Sequence, residues 1–279
     1  GQGVQKVGML NSLFEEVSEV KSIIDEVSKS LDFDLEDLLR NGPEEKINLT
    51  EFSQPTILVT SVLLAKYSKK LSNIDITAGL SLGEYSALVY SNCLDLSDAV
   101  KLVNYRGRLM QEAVPEGTAG MLVVLNMPIN EVYTMIDDIN KSNETINFST
   151  DNADGVSVLA GKNSAIEACK NYIAEGEFRR VKTQMVQMSV PSHCYLLDQA
   201  QEELAKLLNE VEFKAPSIPI IPNVLAIPTS DIGTIKNSLI NQLTRTVRWR
   251  ETLDYLLKNN LSTLIDSGPG KTIINMARK

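Results

Sequence analysis

The chain is short of the side chains that most readily do chemistry. Of its 279 residues one is histidine, one is tryptophan and three are cysteine, and aromatics make up only 5%. Cys93, Cys169 and Cys194 are odd in number and irregularly spaced, which fits a reduced, cytoplasmic compartment better than a disulfide framework. No metal-ligand pattern is present. Positive charge is also scarce: 27 Lys and Arg against 36 Asp and Glu leave a net −9, so nucleic-acid binding through bulk electrostatics is excluded. Any anionic partner must dock on a local patch. The longest apolar run without a charge, about residues 52–65, falls short of the roughly 18 apolar residues that a membrane span requires. No signal peptide precedes the body of the chain, and an opening at Gly1 without methionine suits a truncated or processed form.

What is there reads as an ordinary globular protein, 43% hydrophobic and 23% charged, long enough for one large domain or a domain and a half. Leu13, Val17, Val20, Ile23, Ile24 and Val27 recur at helical spacing and predict one or two amphipathic helices within residues 11–39. Pro55 opens a buried helix over 56–66, with Gln54 at its start and able to turn inward. A strand over 74–78, a tight turn over 79–83 and a helix over 84–90 follow. Asp95 or Ser97 caps the next helix, which stops near Pro115.

The period then changes. Strands over 121–125, 145–149, 156–160 and 180–183 alternate with helices over 129–139 and 164–174, the β-α-β-β-α-β order of a ferredoxin-like unit. We read residues 118–186 as that unit, inserted into a parallel-sheet α/β domain formed by 1–117 and 187–279. The second part of that domain should hold helices over 196–208, 234–243 and 249–259, and strands over 218–223 and 262–266.

Gly79-Leu80-Ser81-Leu82-Gly83 matches G-x-S-x-G, in which a sharp strand-to-helix turn lifts a serine hydroxyl above the sheet edge. Alone, the pentapeptide is equally a plain glycine-rich turn; its predicted place between a strand and a helix favours the nucleophile. The helix start behind Ser81 supplies N–H groups and a positive dipole end suited to an oxyanion. A serine needs a base, and the only imidazole is His193, in Ser189-Val190-Pro191-Ser192-His193-Cys194. The competing reading of His193 is a hydrogen-bonded structural residue. Spacing locates no triad carboxylate, and a backbone carbonyl can orient the ring instead. Cys194 reads as a buried thiol rather than a nucleophile.

These segments, together with Gly1-Gln2-Gly3-Val4-Gln5, Gln54-Pro55, Glu84-Tyr85, Arg106-Gly107-Arg108-Leu109-Met110-Gln111 and Gly268-Pro269-Gly270-Lys271, make the chain similar to the malonyl-CoA:acyl carrier protein transacylases, which include free-standing acyltransferases serving polyketide synthases. The resemblance covers nearly the whole chain and implies an α/β-hydrolase-like domain with a ferredoxin-like insertion. It implies Ser81 as the acylated nucleophile and His193 as base, with backbone N–H groups of Gln2 and Leu82 as oxyanion hole. It also implies Arg106 as the partner of the malonyl carboxylate, Gln54 and Asn152 as further substrate-binding residues, and a backbone carbonyl near Gln242 behind the imidazole. Malonyl-CoA and an acyl carrier protein are the implied partners, with no metal or redox cofactor. Many members carry histidine before the nucleophile; this chain has Leu80, which leaves His193 as sole base.

An acidic carrier would need a basic surface, for which Arg179, Arg180 and Lys182, or Arg245, Arg248 and Arg250, are candidates; the competing reading is scattered surface charge. Two other functions fit the same scaffold: an acyl-thioester hydrolase, which Arg106 disfavours, and a non-catalytic carrier-binding module, which Ser81 and His193 disfavour.

Overall fold

The computed structural model describes residues 2–68, 73–176, 178–186, 190–261 and 263–278. Gly1, Ser189 and Ser262, which enter the expectations above, lie outside the described residues. The N-terminal part is helical: α1 (Asn11–Glu16), α2 (Glu19–Ser28), α3 (Leu35–Asn41), α4 (Glu44–Asn48) and α5 (Thr50–Lys66). Next come β1 (Thr77–Ala78), α6 (Gly83–Tyr90) and α7 (Leu96–Ala113). A second section holds β2 (Ala119–Leu125), α8 (Ile129–Asn140), β3 (Ile146–Ala153), β4 (Val156–Lys162), α9 (Asn163–Glu175) and β5 (Lys182–Met185). The chain ends with α10 (Asp198–Glu210), β6 (Ile220–Ile221), α11 (Ile232–Asn241), β7 (Val247–Arg248), α12 (Trp249–Lys258) and α13 (Thr272–Ala277).

The result is a mixed α/β architecture with two sheets. β1 pairs in parallel with β6, while the larger sheet runs β5-β2-β4-β3-β7, antiparallel except where β3 meets β7. Parallel pairing is therefore much less extensive than the sequence pattern predicts. The expected strand over 218–223 is reduced to Ile220–Ile221, and the described residues 263–266 form no strand. Among the described residues β1 is paired on one side only, with β6.

Burial explains the layers. α5 is uncharged from Phe52 to Ala65 and is buried along nearly its whole length, where it packs on α6 and α7 around Leu58, Leu63, Leu88 and Val103. It begins at Thr50 rather than at Pro55. Proline inside a helix removes an N–H from the ladder, and here the released Glu51 carbonyl accepts from the Asn104 side chain of α7 at 3.1 Å. Gly107 allows that helix contact, since a Cβ there would lie 2.5 Å from the Thr50 carbonyl. In the second section, period-2 alternation gives the sheet two apolar faces. Leu122, Val124 and Leu159 pack under α8 and α9, while Met121, Val158 and Ala160 pack against Cys194. That second face carries the loop of the only histidine.

Candidate active site

Parallel strands deliver their carboxyl ends to one edge, the usual place for a site in an α/β sheet. β1 leads there into Gly79–Ser81, and β6 leads through Pro222 into Asn223. The turn is tight: a Cβ on Gly79 would stand 2.0 Å from the Gly83 carbonyl carbon and oxygen. Ser81 takes φ 52°, a left-handed conformation uncommon outside glycine. Asn223 clamps it, its Oδ1 accepting from the Ser81 N–H at 2.6 Å while its Nδ2 donates to the Gly79 carbonyl at 2.7 Å. Leu82 follows at the helix start, buried, and its N–H bonds to no other described residue.

Ser81 Oγ lies 2.8 Å from His193 Nε2, across 112 positions of sequence. His193 Nδ1 lies 2.7 Å from the Gln242 carbonyl oxygen. A carbonyl only accepts, so Nδ1 carries the hydrogen and the Nε2 lone pair faces the serine hydroxyl. No carboxylate is needed to set that tautomer. Burial, with the nearby Arg106 charge, lowers the His193 pKa to about 3, so the ring is neutral at physiological pH. Cys194 faces the other way, into the sheet, and burial pushes its thiol up to about 11.

Arg106 is 2% exposed, which replaces the surface position that an arginine usually takes on a helix. Its Nη1 donates to Gln54 Oε1 at 2.8 Å, and its Nη2 to Gln242 Oε1 at 3.2 Å and Ser81 Oγ at 3.4 Å. Its Nε has no partner, and among the described residues no carboxylate forms an ion pair with it. Desolvation lowers its pKa. A buried cation with only neutral acceptors is a receptor for an anion.

The structure thus brings Ser81, His193, Arg106, Gln54 and Gln242 together. Gln2 and Asn152 lie outside that hydrogen-bonded network. The Gln2 side chain donates to Thr50 Oγ1 at 3.1 Å, at the start of the helix that carries Gln54. Asn152 sits near the end of β3, in a stretch extended beyond the expected 145–149, with its Oδ1 buried and unpartnered.

Sequence reasoning passed over two residues. Asn223 gives no local signal, being joined to Ser81 only by the fold. Glu84 does: it is the one charged residue of α6, and it is 1% exposed. Its Oε2 accepts from the Asn223 N–H at 3.0 Å and from Gln242 Nε2 at 2.8 Å. Burial raises its pKa to about 7 against the opposing pull of those bonds and of Arg106. No group of three or more His, Cys, Asp or Glu able to hold a metal occurs among the described residues, nor is any described helix long and apolar enough to cross a membrane. A surface groove of about 620 Å³ beside Tyr105 and Arg108 is lined by none of these residues.

Residues 1–275 match the family model described as acyl transferase domain. The malonyl CoA-acyl carrier protein transacylase of Haemophilus influenzae is 36% identical over 282 residues, covering 100% of this chain and 89% of that protein. The crystal structure of an acyl carrier protein S-malonyltransferase from Vibrio cholerae superposes with a TM-score of 0.94 at 38% identity, covering 100% and 90% of the two chains. A malonyl-transacylase solved in complex with its type II PKS acyl-carrier protein superposes at 0.91 with 34% identity, covering 100% and 90%. Similarity that runs the full length of the chain, through the serine turn and the histidine loop alike, shows that it belongs to the acyl transferase domain family.

Proposed function

We propose that the chain moves a malonyl group from malonyl-CoA to the phosphopantetheine thiol of an acyl carrier protein, through an ester on Ser81. The single observation that carries this reading is a buried, carboxylate-free Arg106 reaching the hydroxyl that faces His193. Ser81 Oγ attacks the thioester carbonyl carbon while His193 Nε2 takes its proton. The carbon–sulfur bond breaks, and the departing sulfur receives that proton from the imidazole. The carrier's thiol then repeats the exchange in reverse, giving its proton to Nε2 and returning Ser81 to its free form. Backbone N–H groups of Leu82 and Gln2 stabilise the two oxyanions, each at about 2.7–4 kcal/mol. Arg106 grips the free carboxylate through parallel charge-assisted bonds of about 1.5–3 kcal/mol each, with Gln54 steadying the guanidinium and Asn152 completing the acyl pocket. The Gln242 carbonyl holds the imidazole.

The finer architecture has the same status. We read 118–186 as a ferredoxin-like insertion in an α/β-hydrolase-like domain of 1–117 and 187–279; the sheet order β5-β2-β4-β3 supports it. Three buried free thiols support a reducing, cytoplasmic setting.

Arg248 pairs with Glu251, and Arg250 with Asp151 and Asp254, so neither is free to form a docking patch. Arg179, Arg180, Lys182 and Arg245 are exposed, and Arg245 lies three positions beyond Gln242; we assign the acidic carrier to these. Incubation with labelled malonyl-CoA, with and without a holo carrier protein, tests the function. Label on the carrier is expected. Free malonate released at equal rates in both tubes would identify a hydrolase, and no turnover at all would leave a binding module.

A further inference from the structure

We propose that Glu84 is the counter-charge of Arg106 in the empty pocket, and that it takes up a proton when the free carboxylate of a diacid acyl group reaches the guanidinium. The inference rests on the malonyl-transfer reading above. Its ground is one amide: Gln242 accepts from Arg106 through Oε1 at 3.2 Å and donates from Nε2 to Glu84 Oε2 at 2.8 Å, so cation and anion are joined through a single polarised group.

The groups facing Glu84 can be counted. Arg106 of α7 and Tyr85 of its own helix act on it through their charges, and His193, in the loop before α10, shares Arg106 and Gln242 with it. Gln54 of α5, Asn223 and Gln242 are neutral amides. Burial keeps Tyr85 neutral, with its pKa pushed up to about 12, and keeps His193 neutral, with its pKa near 3. Arg106 and Glu84 are thus the two charges of the buried cluster, and they balance. A diacid carboxylate brings one more negative charge into a site that excludes water, and ionised Glu84 then competes with it for the guanidinium.

Proton uptake from solvent restores the balance, and it breaks no other bond. Glu84 Oε1 is buried and has no partner, so it can carry the hydrogen while Oε2 goes on accepting from Asn223 and Gln242. The scaffold behind Ser81 survives the titration. The position of Glu84 near pH 7, set by burial, puts the effect in the physiological range. The group therefore acts on selectivity and pH dependence, and it does not touch the reacting atoms.

Acylation kinetics between pH 6 and 9, with malonyl-CoA and acetyl-CoA on wild type and Glu84→Gln, test the proposal. Wild type should show KM for malonyl-CoA rising about tenfold from pH 7 to 8.5 with kcat little changed, whereas acetyl-CoA shows no such rise. Glu84→Gln, which keeps the shape and an accepting oxygen, should remove the rise. Identical malonyl profiles in the two proteins would overturn it, whereas absence of any malonyl adduct on wild type would instead overturn the function it rests on. Should Glu84→Gln fail to fold, calorimetry of Ser81→Ala with each CoA thioester at pH 7.5, in two buffers of different ionisation enthalpy, decides. About half a proton or more taken up with malonyl-CoA and none with acetyl-CoA supports the proposal; equal uptake refutes it.

Discussion

Ser81 and His193 both hold left-handed backbone, φ 52° and 57°, a conformation that costs a non-glycine residue about 1–3 kcal/mol and persists only when its surroundings over-determine it. The surroundings are Asn223 on the serine turn and the Gln242 backbone carbonyl behind the imidazole, and that carbonyl takes the orienting place that a triad acid has elsewhere. Arg106 gives the pocket its chemical preference. Arg106→Ala should lower the rate of malonyl acylation about a hundredfold, the loss of one to two charge-assisted bonds, and leave acetyl acylation within a fewfold of wild type. Rates with the two thioesters, measured on folded protein, check this; an equal fall in both would show a structural role instead.

At the level of elements, the turn that enters α6 is tightly constrained. Gly79→Ala would force a Cβ into the Gly83 backbone, which is not free to yield, and we expect a loss of about 3 kcal/mol or more together with loss of acylation. Gly83→Ala meets open space at an ordinary helical φ and should be neutral or stabilising by up to about 1 kcal/mol. Urea unfolding of the two variants distinguishes these expectations, and equal destabilisation would contradict them. The serine turn was legible because its glycines, its flanking strand and its helix all bear on a local geometry. The start of α5 was not, because Asn104, fifty-three positions from Glu51, satisfies the carbonyl that Pro55 leaves open. Nor was the extent of β3: residues 150 and 151 pair with β7, a partner that local periodicity does not reveal. Glu84 was within reach, since a single charge on a helix that must bury both faces has to find partners inside.

Across the whole molecule the two sections share their site. Ser149 of β3 donates to the Ser192 carbonyl at 2.9 Å, Asn147 accepts from the Tyr195 N–H at 3.0 Å, and Arg250 of α12 pairs with Asp151 at 2.9 Å. The histidine loop is thus seated on one section while its serine belongs to the other. Two buried groups tie this assembly to pH. Native His193 stays neutral down to about 3, so below its ordinary 6.5 the unfolded chain binds the extra proton and stability falls with falling pH. Native Glu84 keeps its proton up to about 7, so above its ordinary 4.5 the native chain binds the extra proton and stability falls with rising pH. Between 4.5 and 6.5 the two slopes oppose each other. Glu84→Gln should therefore gain stability relative to wild type as pH rises from 5 to 8, read by urea unfolding with the lone Trp249 as probe; parallel profiles would contradict the assignment. The most direct test of the account as a whole is intact-mass spectrometry after brief exposure to malonyl-CoA, followed by peptide mapping. Wild type should gain one malonyl group, on Ser81, and Ser81→Ala none, with His193→Ala gaining it about 10²–10⁴ times more slowly. A malonyl group found on another residue, or on Ser81→Ala as readily as on wild type, would contradict it.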